Sequence, residues 1–163
     1  MGMVLLKGDE TQSEIIALAY GMEQGLNEFY STIAEDEYDP EVKGMLVRLA
    51  AMEEGHKHRL FRLYRTLDPD TGDMESFEAI VSSDTLEGGF TPDEFFEQNK
   101  ATMSTVQGML NVAMMLEAQA MDLYMRYSYK AEKKETSAVL HEIAEQEKGH
   151  LAMLGMLLDE KSG

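Results

Sequence analysis

Apolar residues recur at helical spacing along four long stretches of this 163-residue chain. The first stretch, about 11–36, carries Ile15, Ala19, Met22, Leu26, Phe29, Tyr30 and Ile33 on one face, a helix period and not a strand period. Thr11-x-x-Glu14 supplies a capping box at its start. Asp39-Pro40 reads as an N-cap followed by proline at the first helical position, opening a second helix over about 40–66. That helix continues through Met45, Leu49, Met52, Leu60 and Leu63 until Leu67-Asp68-Pro69 stops it. A third helix is predicted over about 102–131, with Val106, Met109, Leu110, Ala113, Leu116, Ala120 and Tyr124 in register. A fourth, about 136–159, holds Val139, Leu140, Ile143, Leu151, Leu154 and Leu157.

Residues 66–99 differ in kind: ten are acidic and none is lysine or arginine. Asp70-Thr71-Gly72-Asp73 and Gly88-Gly89 are turn signals, and Thr91-Pro92-Asp93-Glu94 can cap one short extra helix. The segment 67–100 is therefore expected to be an acidic, solvated crossover. An electrostatic lane for cations, or a dock for a basic redox partner, is the sharper reading of the same charge. Two tight helix hairpins joined by one long crossover make an all-α, ferritin-like four-helix bundle, a single domain over 1–163.

Polar residues inside the apolar stripes carry the chemistry. Glu23, Glu53 and His56 are matched, 94 positions later in each case, by Glu117, Glu147 and His150. One glutamate plus a Glu-x-x-His from the facing helix, used twice, is the donor set of a dinuclear metal centre in a four-helix bundle. Acidic residues are 31 of 163, about one position in five, so two histidines each meeting both offsets would arise by chance roughly once in a thousand. The surroundings repeat too: Phe29 and Leu123, Tyr30 and Tyr124, Leu46 and Leu140, Leu49 and Ile143, and Gly55 and Gly149 all stand 94 apart. In each hairpin the isolated glutamate and its partner lie about fifteen residues from the turn, hence at one height, roughly 22 Å from the hairpin end.

Carboxylates bridge cations and tolerate changing coordination, and imidazole adds a borderline donor suited to Fe, Mn or Zn. Glu53 and Glu147 are assigned as bridges between two metal ions, with Glu23 and His56 terminal on one and Glu117 and His150 on the other. Four carboxylates at one depth would repel strongly without metal. Surface ion pairs on amphipathic helices would explain one Glu-x-x-His but not its duplication. His58 and His141 lie about 200° and 180° around the helix from the ligand histidines and are expected to face solvent. Tyr30 and Tyr124, two turns beyond their glutamates, are either core tyrosines or hydrogen-bond partners of a ligand carboxylate. The methionines, fourteen in all, read as core gap-fillers.

Composition narrows the alternatives. The chain has no cysteine, which excludes disulfides, zinc ribbons and iron–sulfur clusters. A formal charge of −17 argues against nucleic acid as partner. No signal peptide or membrane span is evident, so a cytoplasmic protein is expected. A long crossover permits helix exchange, and a homodimer is expected on that ground.

Residues 19–64 and 113–158 resemble the two halves of the rubrerythrin family, through Met22-Glu23-Gln24-Gly25-Leu26-Asn27-Glu28-Phe29-Tyr30, Met52-Glu53-Glu54-Gly55-His56, Arg59-Leu60-Phe61 and Glu147-Lys148-Gly149-His150. The resemblance implies a diiron oxidoreductase acting on hydrogen peroxide or dioxygen. Full-length relatives carry a rubredoxin-like centre held by four cysteines; none is present here, so the resemblance implies a separate electron-donor protein. Such relatives also place a further glutamate where this chain has Ala120, so the expected centre is symmetric, four Glu and two His. Two other functions fit the same ligands: oxidation of Fe(II) for storage or delivery, and a metal-stabilised interaction module without redox activity.

Overall fold

The computed structural model describes residues 11–88 and 97–162. Among them are α1 (Gln12–Glu35), α2 (Pro40–Leu67), α3 (Met74–Gly88), a 3₁₀ turn (Thr102–Ser104), α4 (Val106–Lys130) and α5 (Lys134–Ser162), and no strand. None of the described helices is long and apolar enough to cross a membrane. The chain divides into two compact units, residues 1–92 and 93–163.

In the first unit the predicted caps form. Thr11 Oγ1 accepts the Glu14 N–H at 3.2 Å, and Asp39 Oδ1 accepts those of Glu41 and Val42 at 2.9 and 3.2 Å. The connection 36–39 is too short for anything but an antiparallel return, and the Asn27 amide donates to the Ala50 carbonyl across α1 and α2 at 2.7 Å. The interface is built from Ile16, Leu26, Phe29, Val42, Leu46, Leu49 and Leu60, all at most 1% exposed. The buried face of α1 is rotated slightly from the predicted one. Ile16 and Tyr20 are buried, while Ile15, Met22 and Ile33 are only partly covered. On α2, Met52 is 40% exposed, against the expectation that it faces inward.

The crossover holds more structure than its composition suggests. Asp73 accepts the Ser76 N–H at 2.9 Å and starts α3, which buries Phe77 and Val81, one turn apart, against the hairpin. Phe77 meets Tyr20 edge-on with ring centroids 4.9 Å apart and lies tilted beside Phe61 and Tyr64 at 5.4 and 4.6 Å. This segment was expected to be a solvated loop. Among its described side chains the inward apolar residues Phe77 and Val81 are too few to register as a period, yet a hairpin that offers aromatic partners holds them. The cap candidate Thr91-Pro92-Asp93-Glu94 lies outside the described residues.

The second unit repeats the hairpin. Thr105 Oγ1 accepts the Gly108 N–H at 3.0 Å and caps α4. A Cβ on Gly108 would overlap the Thr102 carbonyl oxygen, so this close approach of the 3₁₀ turn requires glycine. Two bonds show the antiparallel return: Ser137 Oγ donates to the Ser128 carbonyl at 2.6 Å near the turn, and the Gln107 amide to that of Lys161 at 2.9 Å at the far end. Leu110, Ala113, Leu140, Ile143 and Leu154, each at most 1% exposed, form its centre.

Candidate metal centre

The helix period carries three ionisable residues of each hairpin into its apolar interior. Glu23 from α1 and Glu53 from α2 have no exposed surface, and His56, one turn after Glu53, has 3%. His56 Nδ1 lies 3.5 Å from Glu23 Oε2 and 3.5 Å from Glu53 Oε2. The second hairpin does the same with α4 and α5. Glu117 and Glu147 are fully buried, His150 is 1% exposed, and its Nδ1 lies 3.4 Å from Glu117 Oε1 and 3.8 Å from Glu147 Oε1. In both units the three donor atoms lie within 4.8 Å of one another.

Burial without exposure is expensive for a carboxylate unless a cation or several donors compensate it. Two acids around one imidazole place two carboxylates against at most one positive charge. The donor chemistry fits a divalent metal instead. Ligands about 2.1 Å from one ion and about 90–110° apart sit about 3.0–3.4 Å from each other, close to the separations found here. Each triad presents Nδ1 toward its carboxylates, and each can hold a metal ion.

The other residues singled out in the sequence take these places. Tyr30 and Tyr124 are buried, at 0% and 1% exposure, and the Phe29 ring meets Tyr30 edge-on at 5.5 Å. His58 is exposed, with Nε2 3.6 Å from Glu54 Oε1, and His141 is exposed as well, as their helical angles predicted. Ala120 is fully buried in α4, one turn after Glu117.

One polar cluster escaped the sequence reading. Tyr20 has no exposed surface, and its hydroxyl donates to Glu78 Oε2 at 2.7 Å. The Gln24 amide donates to Glu78 Oε1 at 2.9 Å. Lys57, buried beside His56, lies 3.2 Å from Glu54 Oε2 and 3.6 Å from Glu78 Oε1, with its ammonium 5.5 Å from the centre of the Tyr20 ring. Burial, and then the Glu78 carboxylate, push ionisation of the Tyr20 phenol well above its ordinary range. A signal did exist: Met114 and Leu151 stand 94 positions after Tyr20 and Lys57, so the repeat breaks at both.

Comparison with known proteins agrees with the geometry. The family model described as rubrerythrin matches residues 4–80 and 108–163, which include all six buried donors. No protein of curated description matches the chain. The solved structure of a hypothetical protein from Pyrococcus furiosus is similar with a TM-score of 0.70, at 21% identity, over 94% of this chain and 91% of that one. That likeness shows the fold, which is all-α and ferritin-like, built from two antiparallel hairpins and a long connection. On the extent of the family match, the chain belongs to the rubrerythrin family.

Proposed function

We propose that the protein is a non-haem diiron oxidoreductase that reduces hydrogen peroxide or dioxygen with electrons from a separate donor protein. The observation that carries this reading is the duplicated, fully buried Glu and Glu-x-x-His triad. Glu23, Glu53 and His56 would hold iron in the first hairpin, and Glu117, Glu147 and His150 would do so in the second. When bound, the iron pair supplies two electrons at one place, which matches H2O2 + 2e⁻ + 2H⁺ → 2H2O.

The chain's own residues do the rest. Four carboxylates offset the charge of the cations, so little net charge is buried. The i, i+3 placement of each imidazole brings Nδ1 of His56 and His150 beside the glutamate of its own helix. The apolar residues of the hairpins exclude bulk water from the donors. Ala120 adds no further carboxylate, which supports a symmetric donor set. On this reading electrons come from a separate donor protein, since these cysteine-free residues offer no thiolate-held redox centre.

The test is iron content after anaerobic Fe(II) loading and desalting, followed by mixing with peroxide. Two irons per chain are expected, most of them lost in Glu53→Ala, with rapid oxidation and turnover once a reductant is added. An inert diferrous protein would overturn the oxidoreductase reading. Uptake of many irons per chain would replace it with storage.

A further inference from the structure

We propose that Tyr20 is a redox-active tyrosine that passes its phenolic proton to Glu78 as its ring is oxidised by one electron. The inference rests on the oxidoreductase reading above for its physiological oxidant, the iron centre after reaction with peroxide. The step balances. One electron leaves the ring for that oxidant, the Tyr20 O–H bond breaks, and an O–H bond forms on Glu78 Oε2. A neutral phenoxyl group and a neutral carboxylic acid result. One electron from the donor protein, with return of the proton, restores the pair.

The arrangement has what such a step needs. An oxidised phenol is a very strong acid, so oxidation in a dry interior requires a base already in hydrogen-bond contact. Glu78 Oε2 accepts from the phenol at 2.7 Å, and the ring has no exposed surface. Gln24 at 2.9 Å and Lys57 at 3.6 Å hold the other oxygen, Oε1, which leaves Oε2 to the phenol. The resting phenol keeps its proton across the physiological range, because burial and Glu78 both oppose phenolate formation. Proton loss is therefore tied to electron loss.

Position and asymmetry strengthen the case. Tyr20 precedes Glu23 by three residues on the buried face of α1, so their Cβ atoms are about 5–6 Å apart. Phe77, Phe61 and Tyr64 wall the cluster with further rings. Packing alone would be served by phenylalanine at position 20. The hydroxyl, its acceptor on α3 and the buried Lys57 have no counterparts at Met114 and Leu151, so the site belongs to one hairpin.

The test uses the full chain with ring-deuterated tyrosine, loaded anaerobically with iron, mixed with hydrogen peroxide and freeze-quenched for electron paramagnetic resonance. A tyrosyl signal that narrows on deuteration is expected. Tyr20→Phe should lose it, Tyr30→Phe and Tyr124→Phe should keep it, and Glu78→Gln, which retains an acceptor oxygen but no base, should lose most of it. Iron oxidation without a radical, or a radical that survives Tyr20→Phe, overturns the proposal and leaves the oxidoreductase reading standing. If peroxide does not oxidise the iron, that reading fails, and pulse-generated azide radical applied to the metal-free protein tests Tyr20 independently. A long-lived phenoxyl absorbance absent from Tyr20→Phe supports the proposal, and identical decay in the two proteins overturns it. A purely structural clasp would shift the urea midpoint of both variants and produce no radical in either experiment.

Discussion

Replacing Glu53 by methionine should make the iron-free protein more stable while abolishing its response to iron. Glu53 has no exposed surface and lies 3.5 Å from His56, which has Glu23 at the same distance. Dehydrating a carboxylate costs several kcal/mol, and one imidazole cannot compensate two of them. Removing Glu53 leaves His56 beside Glu23, and methionine fills a similar volume with apolar atoms. Replacements of buried ionic groups by apolar ones gain about 1–4 kcal/mol. A gain of about 2 kcal/mol is expected here, or about 4–8 °C in Tm for a chain of this size. Free Fe(II) at about 100 times its Kd should add about 2.7 kcal/mol to the wild type and nothing comparable to the variant. Urea and thermal unfolding, in chelator and in anaerobic Fe(II), measure both. If iron-free Glu53→Met is less stable than wild type by about 2 kcal/mol or more, Glu53 is a structural partner of His56, and the metal argument for this residue is refuted.

Three further outcomes follow from local geometry. Asp39→Ala removes the acceptor of two N–H groups at the start of α2 and should cost about 1 kcal/mol, read from the urea midpoint. Above pH 10 the unfolded chain ionises Tyr20, whereas the folded chain, with that ionisation raised, does not. The Tyr20 contribution is therefore complete below pH 10 and falls as pH rises beyond it, by up to about 1.4 kcal/mol per unit. Midpoints between pH 8 and 11 should decline less steeply in Tyr20→Phe. Asp73, held below its ordinary pKa by the Ser76 N–H, contributes fully above the usual carboxylate range. That contribution is lost as pH falls through the lowered value, so the exchange protection of the α3 amides should fall at acid pH in the wild type and should already be low at neutral pH in Asp73→Ala.

How much of this was legible in the sequence depended on whether the information was local. The four long helices repeat a buried face every three or four residues, and caps such as Asp39-Pro40 mark their ends within four residues, so a one-dimensional pattern carries them. Glu23, Glu53 and His56 were legible because ionisable residues sat where that pattern demanded apolar ones, and a second copy 94 residues later removed the ambiguity. Helix α3 was not, since its stability comes from elsewhere in the chain. Phe77 needs Tyr20, Phe61 and Tyr64, while Glu78 needs a tyrosine 58 positions earlier. Read alone, Met74–Gly88 looks like solvated acid. Met52 erred in the other direction, because a helical period places the centre of a face well and its margins poorly. Symmetry found the candidate metal donors, so departures from symmetry mark what one half has that the other lacks. Tyr20 and Lys57 are buried polar residues where the repeat has Met114 and Leu151, and both contact the carboxylate of Glu78.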